Sequence, residues 1–163
     1  MLRATSVCRS DRAGGGSPGA ATAVLQHDER VLRRKAISLA DGSRVLVDLP
    51  EPVALAAGDE LVLEDGGTVV VEAAVEALHE VTARDAGHLV ELAWHIGNRH
   101  LPAAVSAEWI LILRDHVIRA MLEGLGATVR DVDMPFEPVR GAYSGHGHGH
   151  GHGHGHDHAG HGG

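Results

Sequence analysis

Lysine is nearly absent: of 14 basic residues only Lys35 is not an arginine. A phosphate-cradling loop of the Gly-Lys-Ser/Thr kind needs that lysine, and Lys35 sits in Arg-Arg-Lys-Ala, so nucleotide hydrolysis of this type is excluded. Cysteine is reduced to Cys8, which rules out a disulfide framework. Trp94, Trp109, Phe136 and Tyr143 are the only aromatic residues, too few for an aromatic ligand pocket or a base-stacking platform. No run approaches the roughly 18 apolar residues of a spanning helix. The first residues lack the apolar region of a signal peptide, so a cytoplasmic protein without a membrane partner is expected. Acidic residues exceed basic ones, 22 to 14, and the net charge of −8 argues against nucleic acid. Histidine alone is in excess: 14 in all, eight of them in the last 18 residues.

The chain divides by composition into four parts. Residues 1–20 are rich in Gly, Ser and Arg without periodicity and read as a disordered extension. Residues 21–75 read as a small N-terminal β domain. Ile37 and Leu39, then Val45, Val47 and Leu49, alternate about Asp41-Gly42, a strong hairpin signal because both turn residues tolerate positive φ. Leu61 to Leu63 and Val69 to Val71 repeat the pattern about Asp65-Gly66-Gly67, and Pro50 and Pro52 are expected to interrupt any strand between the two hairpins.

Residues 76–140 alternate strands and helices. A strand from Glu76 to Val81 precedes Thr82-Ala-Arg-Asp85, which matches a capping box. Leu89, Leu92, Ala93 and Ile96 then mark one face of a helix ending near Gly97-Asn98. Two short strands are expected about Ser106-Ala107. A second helix from about Asp115 carries Ile118, Met121, Leu122 and Leu125 on one face, and Val129 to Met134 supply a last strand. The fold class is therefore α+β, with a ferredoxin-like βαββαβ domain following the β domain. From 141 to 163, 18 of 23 residues are Gly or His, a tail that cannot form a core.

Gly and His alternate through 145–156, and Asp157, His158 and His161 follow. Neutral imidazole is a borderline ligand for nickel, zinc, copper and cobalt. Spacing of two places successive rings on one side of an extended chain, and glycine lets the backbone wrap an ion without steric cost. The tail imidazoles, His146, His148, His150, His152, His154, His156, His158 and His161, thus offer many exchangeable sites rather than one cage. The bland alternative is a purification tag or an idle repeat, but such tags are runs of consecutive histidine, whereas here Pro138 to Tyr143 lead into a run broken by Asp157.

In the folded part, His27, His79 and His88 each lie alone and read as exposed or hydrogen-bonded structural residues. His95 and His100 stand in His-Ile-Gly-Asn-Arg-His, not in the His-Glu-x-x-His of zinc proteases, and five residues on a helix separate them by about 140°. Extending the helix phase puts His100 on the apolar stripe. There it is either a satisfied core histidine or an interface residue that in a two-fold dimer contributes two ligands about the axis. His116 lies about 160° from the stripe of its own helix, either a solvated surface residue or an accessory metal contact beside Asp115.

AWHIGNRHLP (93–102), LRDHVIRAMLEGLG (113–126) and FEPVRGAY (136–143), followed by the Gly/His run, resemble the UreE family of urease accessory metallochaperones. Residues 24–163 carry the resemblance, with Leu39 to Gly42, Gly58 to Leu61 and Glu64 to Gly67 as its pieces in the β half. It implies a peptide-binding type of N-terminal domain, a ferredoxin-like metal domain and a homodimer that binds nickel between subunits. The nickel would pass to the apo-urease complex, with a GTPase accessory protein as partner. The bridging ligand of the Asn-Arg-His motif would be His100, completed by tail histidines. The family's peripheral His-Asp-His stretch reads Arg114-Asp115-His116 here, so only His116 matches.

Two other readings compete with this non-enzymatic carrier. One is a nickel or zinc store without a dedicated recipient, to be separated by whether urease subunits are captured. The other is a prolyl isomerase, against which the four scattered aromatics argue. Imidazole must be deprotonated to ligate, and with reference values near 6.5 the fourteen added protons of full titration take the formal charge from −8 to +6. Nickel uptake by the full chain, measured by equilibrium dialysis across pH 5–8, is expected to collapse below about pH 6.

Overall fold

A computed structural model describes residues 1–10 and 17–141. The first half forms β1 (Leu2–Cys8), β2 (Ala21–Leu25), β3 (Val31–Ser38), β4 (Arg44–Ala54), β5 (Glu60–Leu63) and β6 (Thr68–Ala73), with a short 3₁₀ turn at His27–Arg30. These make one six-stranded sheet in the order β2-β6-β5-β1-β4-β3. The two hairpins form as the alternation predicts. β3 pairs antiparallel with β4 about Gly42 (φ +85°), and β5 pairs with β6 about Gly66 (φ +88°), conformations that a side chain would strain. Ala23, Leu32, Val47, Leu61 and Val69 meet in the buried core of this half.

Within the extension expected to be disordered, Leu2–Cys8 forms a strand. β1 lies in the middle of the sheet, parallel to β4 (Ala4 opposite Val47) and antiparallel to β5 (Cys8 opposite Glu60). Its apolar signal is faint because only Ala4, with a single methyl group, is fully enclosed. Residues on the C-terminal side of β1 are held too. Arg9 donates to the buried Asp59 carboxylate (2.6 Å), whose other oxygen accepts the Ser10 amide (3.2 Å), and Ser17 donates backbone and hydroxyl to Glu60.

The prolines do not end a strand either. β4 runs through Pro50 and Pro52 to Ala54. Its register against β3 jumps there: Asp48 faces Arg34 and Val53 faces Leu32, so four residues of β4 oppose Arg33 alone. The bulge takes both prolines out of the ladder, and β1 pairs only with residues 45–47, leaving the other side of this stretch without a β1 partner.

The second half forms β7 (Val75–Thr82), α1 (Ala86–Asn98), β8 (Ala103–Val105), β9 (Trp109–Leu113), α2 (His116–Gly124) and β10 (Thr128–Pro135). The sheet order is β10-β7-β9-β8, every pair antiparallel. Alternation on β9 sends Ile110 and Ile112 toward Leu92, Ile96 and Leu122 of the helices, and Leu111 to the opposite face beside Leu78 and Phe136. The α1 cap is Asp85, not Thr82. Its carboxylate accepts the His88 amide (2.8 Å), while Thr82 still belongs to β7. Among the described residues no helix is long and apolar enough to cross a membrane.

Phe136, wholly buried, joins the halves. Its ring meets His27 edge-on (5.2 Å), and its carbonyl accepts from the Arg30 guanidinium. Beside it Glu76, at the start of β7, accepts both Nδ1 (2.8 Å) and the backbone amide (3.1 Å) of His27.

Removing a central strand leaves β4 and β5 facing each other with no shared partner. Deletion of residues 1–8 is therefore expected to abolish the cooperative urea transition of the N-terminal sheet, read by circular dichroism. An unchanged midpoint would show that the strand is dispensable.

Candidate metal centre

The six histidines of the described part fall into two classes. His79 (2 % exposed) bridges β10 and the start of α2: Nδ1 donates to Asp131 (2.8 Å), and Nε2 accepts the Asp115 amide (3.1 Å). His88 (4 % exposed) accepts the Arg84 amide at Nδ1 (3.1 Å) and donates from Nε2 to the Leu125 carbonyl (2.8 Å), tying the head of α1 to the foot of α2. With His27 held by Glu76, all three take the hydrogen-bonded one of the two roles, exposed or hydrogen-bonded, that the sequence allowed. In His79 and His88 both ring nitrogens are spent, leaving no lone pair for an ion.

His95, His100 and His116 are different. His95 is half-buried on α1, edge-on to Trp94 (5.1 Å). His100 is exposed, but not where the helix phase put it. α1 stops at Asn98, Arg99 caps it, and His100 has φ +55°, the only positive φ outside glycine among the described residues. Its amide donates to the Gly97 carbonyl (3.0 Å), closing the last turn. Pro102 explains the stop, because it disfavours helical backbone at Leu101 and itself has no amide to give. Glycine or asparagine usually occupies such a left-handed cap, and a larger side chain persists there at a cost that recurs at functional sites. Helical phase cannot be extrapolated across that reversal, so the apolar-stripe reading of His100 is corrected.

α1 also exposes Val90 and Trp94, 69 % and 65 % accessible and four residues apart on one helix face. This apolar pair has no counterpart in the sequence reading, because a helix with buried Leu89, Leu92 and Ile96 already satisfies the core pattern.

His116 is the first residue of α2 and is exposed, as expected. Its neighbour Asp115 is the helix cap: Oδ1 accepts the Val117 (2.8 Å) and Ile118 (3.1 Å) amides, leaving one carboxylate oxygen for any other role. Those two bonds, chiefly the one from Ile118, hold the Asp115 carboxyl below its ordinary value. A carboxyl depressed in the folded state stabilises fully above the ordinary carboxylate range and loses that contribution as pH falls through the lowered value. Among the described residues no three His, Cys, Asp or Glu side chains gather as a metal site. His146, His148, His150, His152, His154, His156, His158 and His161 lie outside the described residues.

The left-handed turn makes its own prediction. His100→Gly relieves the backbone where His100→Ala does not, so the glycine variant is expected to be the more stable by about 1 kcal/mol in urea unfolding. Equal stabilities would place residue 100 in ordinary backbone.

Two family models match the chain: the N-terminal domain of UreE urease accessory protein over residues 9–74, and its C-terminal domain over 76–161. The chain is similar to the urease accessory protein UreE of Mesorhizobium japonicum, 66 % identical over 143 residues (88 % of this chain, 72 % of the relative). It is also similar to those of Brucella anthropi, 57 % over 145 residues (89 % and 85 %), and Agrobacterium fabrum, 56 % over 146 residues (90 % and 89 %). The chain belongs to the UreE family of urease accessory proteins, and serves urease maturation as an accessory protein rather than an enzyme.

Proposed function

We propose that this protein captures Ni(II) and delivers it to apo-urease, with His100 from two subunits of a homodimer as the specific site and the tail histidines as the gathering ligands. The observation that carries the reading is where the tail begins. The Val139 amide donates to the Ala103 carbonyl (2.8 Å), attaching the chain just before the tail to the strand that starts three residues after His100. Three residues span at most about 11 Å, so this anchor close before the tail lies near the exposed imidazole. A single imidazole cannot hold a divalent ion alone. A two-fold axis at His100 doubles the donors, and tail imidazoles rooted nearby complete the set. Val90 and Trp94 supply apolar area that such an axis would cover.

The strand order 4-1-3-2 of the second half, counting its own strands, supports reading that unit as the ferredoxin-like metal domain. The first half is read as its peptide-binding companion. Handover needs ligands that exchange, which a pair of histidines assisted by separate imidazoles supplies better than a closed four-ligand cage. His116, with its neighbour Asp115 committed to the cap, is an accessory contact at most. Zinc, copper and cobalt would compete for the same imidazoles. The recipient is the apo-urease complex, and a GTPase accessory protein works beside it.

Equilibrium dialysis with Ni(II) at neutral pH, paired with mass measurement of the oligomer, tests the assignment. His100→Ala is expected to lose the tight dimer-linked site, while truncation after Gly141 keeps that site and lowers the number of ions bound. Unchanged tight binding in His100→Ala would reject the role of His100. The His100→Gly variant, free of backbone strain, should fail in the same way as the alanine variant.

A further inference from the structure

Between the 3₁₀ turn at His27–Arg30, the end of β4 and the segment 137–141 lies a cavity of about 480 Å³ that neither the nickel reading nor the family assignment uses. Its volume falls within the roughly 300–1,000 Å³ of small-ligand sites, which favour domain junctions. Val31, Leu55, Pro138 and Val139 give it apolar walls. Two arginines, Arg30 and Arg140, and one carboxylate residue, Glu137, belong to the same lining.

Arg30 and Arg140 are matched in number by Glu76 and Glu137, but among the described residues Arg30 has no direct carboxylate partner. Arg30 is 5 % exposed, and its hydrogen bonds go to main-chain carbonyls, those of Leu25 (3.2 Å) and Phe136. Among the described residues no carboxylate oxygen pairs with it within 4.0 Å. The two nearby carboxylates are engaged elsewhere: Glu76 takes Nδ1 and the amide of His27, and Glu137 takes the Ala57 amide (2.9 Å). Burial pulls the Arg30 guanidinium below its ordinary value, against the opposing pull of Glu137 and Glu76. A buried cation whose direct hydrogen bonds go only to neutral oxygens is costly, and an anion brought alongside it recovers part of that cost.

We propose that this cavity binds a short aliphatic carboxylate, its charged end toward Arg30 and Arg140 and its chain against Val31, Leu55 and Val139. Arg30 and Arg140 outnumber Glu137 in the lining and disfavour a cation there, and Nδ1 of His27 is already taken by Glu76. The apolar walls give nothing to a fully hydrated anion such as phosphate. Because Val139 also holds the edge strand after His100, a ligand here would touch the residue that anchors the root of the tail.

The test is a ¹H–¹⁵N chemical-shift titration of the full metal-free chain with sodium hexanoate, and in parallel with 1-hexanol, at pH 7.5. Hexanoate is expected to give saturable shifts centred on residues 30, 31, 55 and 139. Hexanol should bind at least tenfold more weakly, since it lacks the charge that Arg30 meets. Arg30→Gln should weaken hexanoate at least tenfold, and Ala56→Phe, which fills the cavity and leaves the arginine, should abolish saturation. If Arg30→Gln does not fold, Ala56→Phe decides. No saturable shift at these residues, undiminished binding in Ala56→Phe, or hexanol binding as tightly as hexanoate would each overturn the proposal.

Discussion

An imidazole that is to carry an ion must be held still and yet keep a lone pair free, and these demands conflict. A histidine is normally fixed by hydrogen bonds to its ring, which consume the nitrogens that would ligate. His79 and His88 show that outcome, each ring locked at both ends. His100 is fixed by its backbone instead. The amide bond to Gly97, the left-handed φ and Pro102 two residues on define where its Cα and Cβ sit, and the ring stays exposed. The cost of a non-glycine residue in that conformation is carried by the packing of Leu92 and Ile96 behind it.

The same separation of fixing from chemistry recurs at the start of α2. Asp115 uses one oxygen to cap the helix and its backbone amide to hold His79, so His116 stands at the rim of a well-determined turn without itself being bound into it. His79 in turn touches Asp131, which also receives Arg119 (2.9 Å), so β7, β10 and α2 converge on one carboxylate. A fold poor in aromatic residues achieves rigidity in this half through such polar junctions laid over an aliphatic core.

Much of the fold was legible because period-2 and period-3.6 patterns are strong here. Both hairpins, both helices, the short strands about Ser106-Ala107 and the last strand stand close to where alternation placed them. What escaped was tertiary in origin. β1 is a strand because β4 and β5 flank it, and its one enclosed side chain is the methyl of Ala4, too small to register as a pattern. The prolines of β4 are tolerated because a bulge lifts them off the ladder, which no local rule foresees. For the candidate site, the motif about His100 was legible, but its orientation was not, since phase counting presumes that the helix continues. Arg30 gave no signal at all, because nothing local marks an arginine as buried.

The segment 136–141 makes one mechanical unit of these parts. Phe136 is enclosed against the back of the second sheet and the His27 ring, Glu137 accepts from Ala57 of the first half, and Val139 donates to Ala103 of the second. Within four residues the chain thus grips both halves, as expected of an extended segment whose side chains and amides alternate in direction. A segment held in this way cannot wander, so the chain beyond Gly141 starts from a fixed point on the surface. If the tail were merely a sink for cations, any loop could carry it with equal effect. Its attachment beside the strand after His100 matters only if tail and turn act on the same ion. If tail and turn act on the same ion, as proposed, the coupling between them resides in the Val139–Ala103 bond, a contact that touches no metal itself.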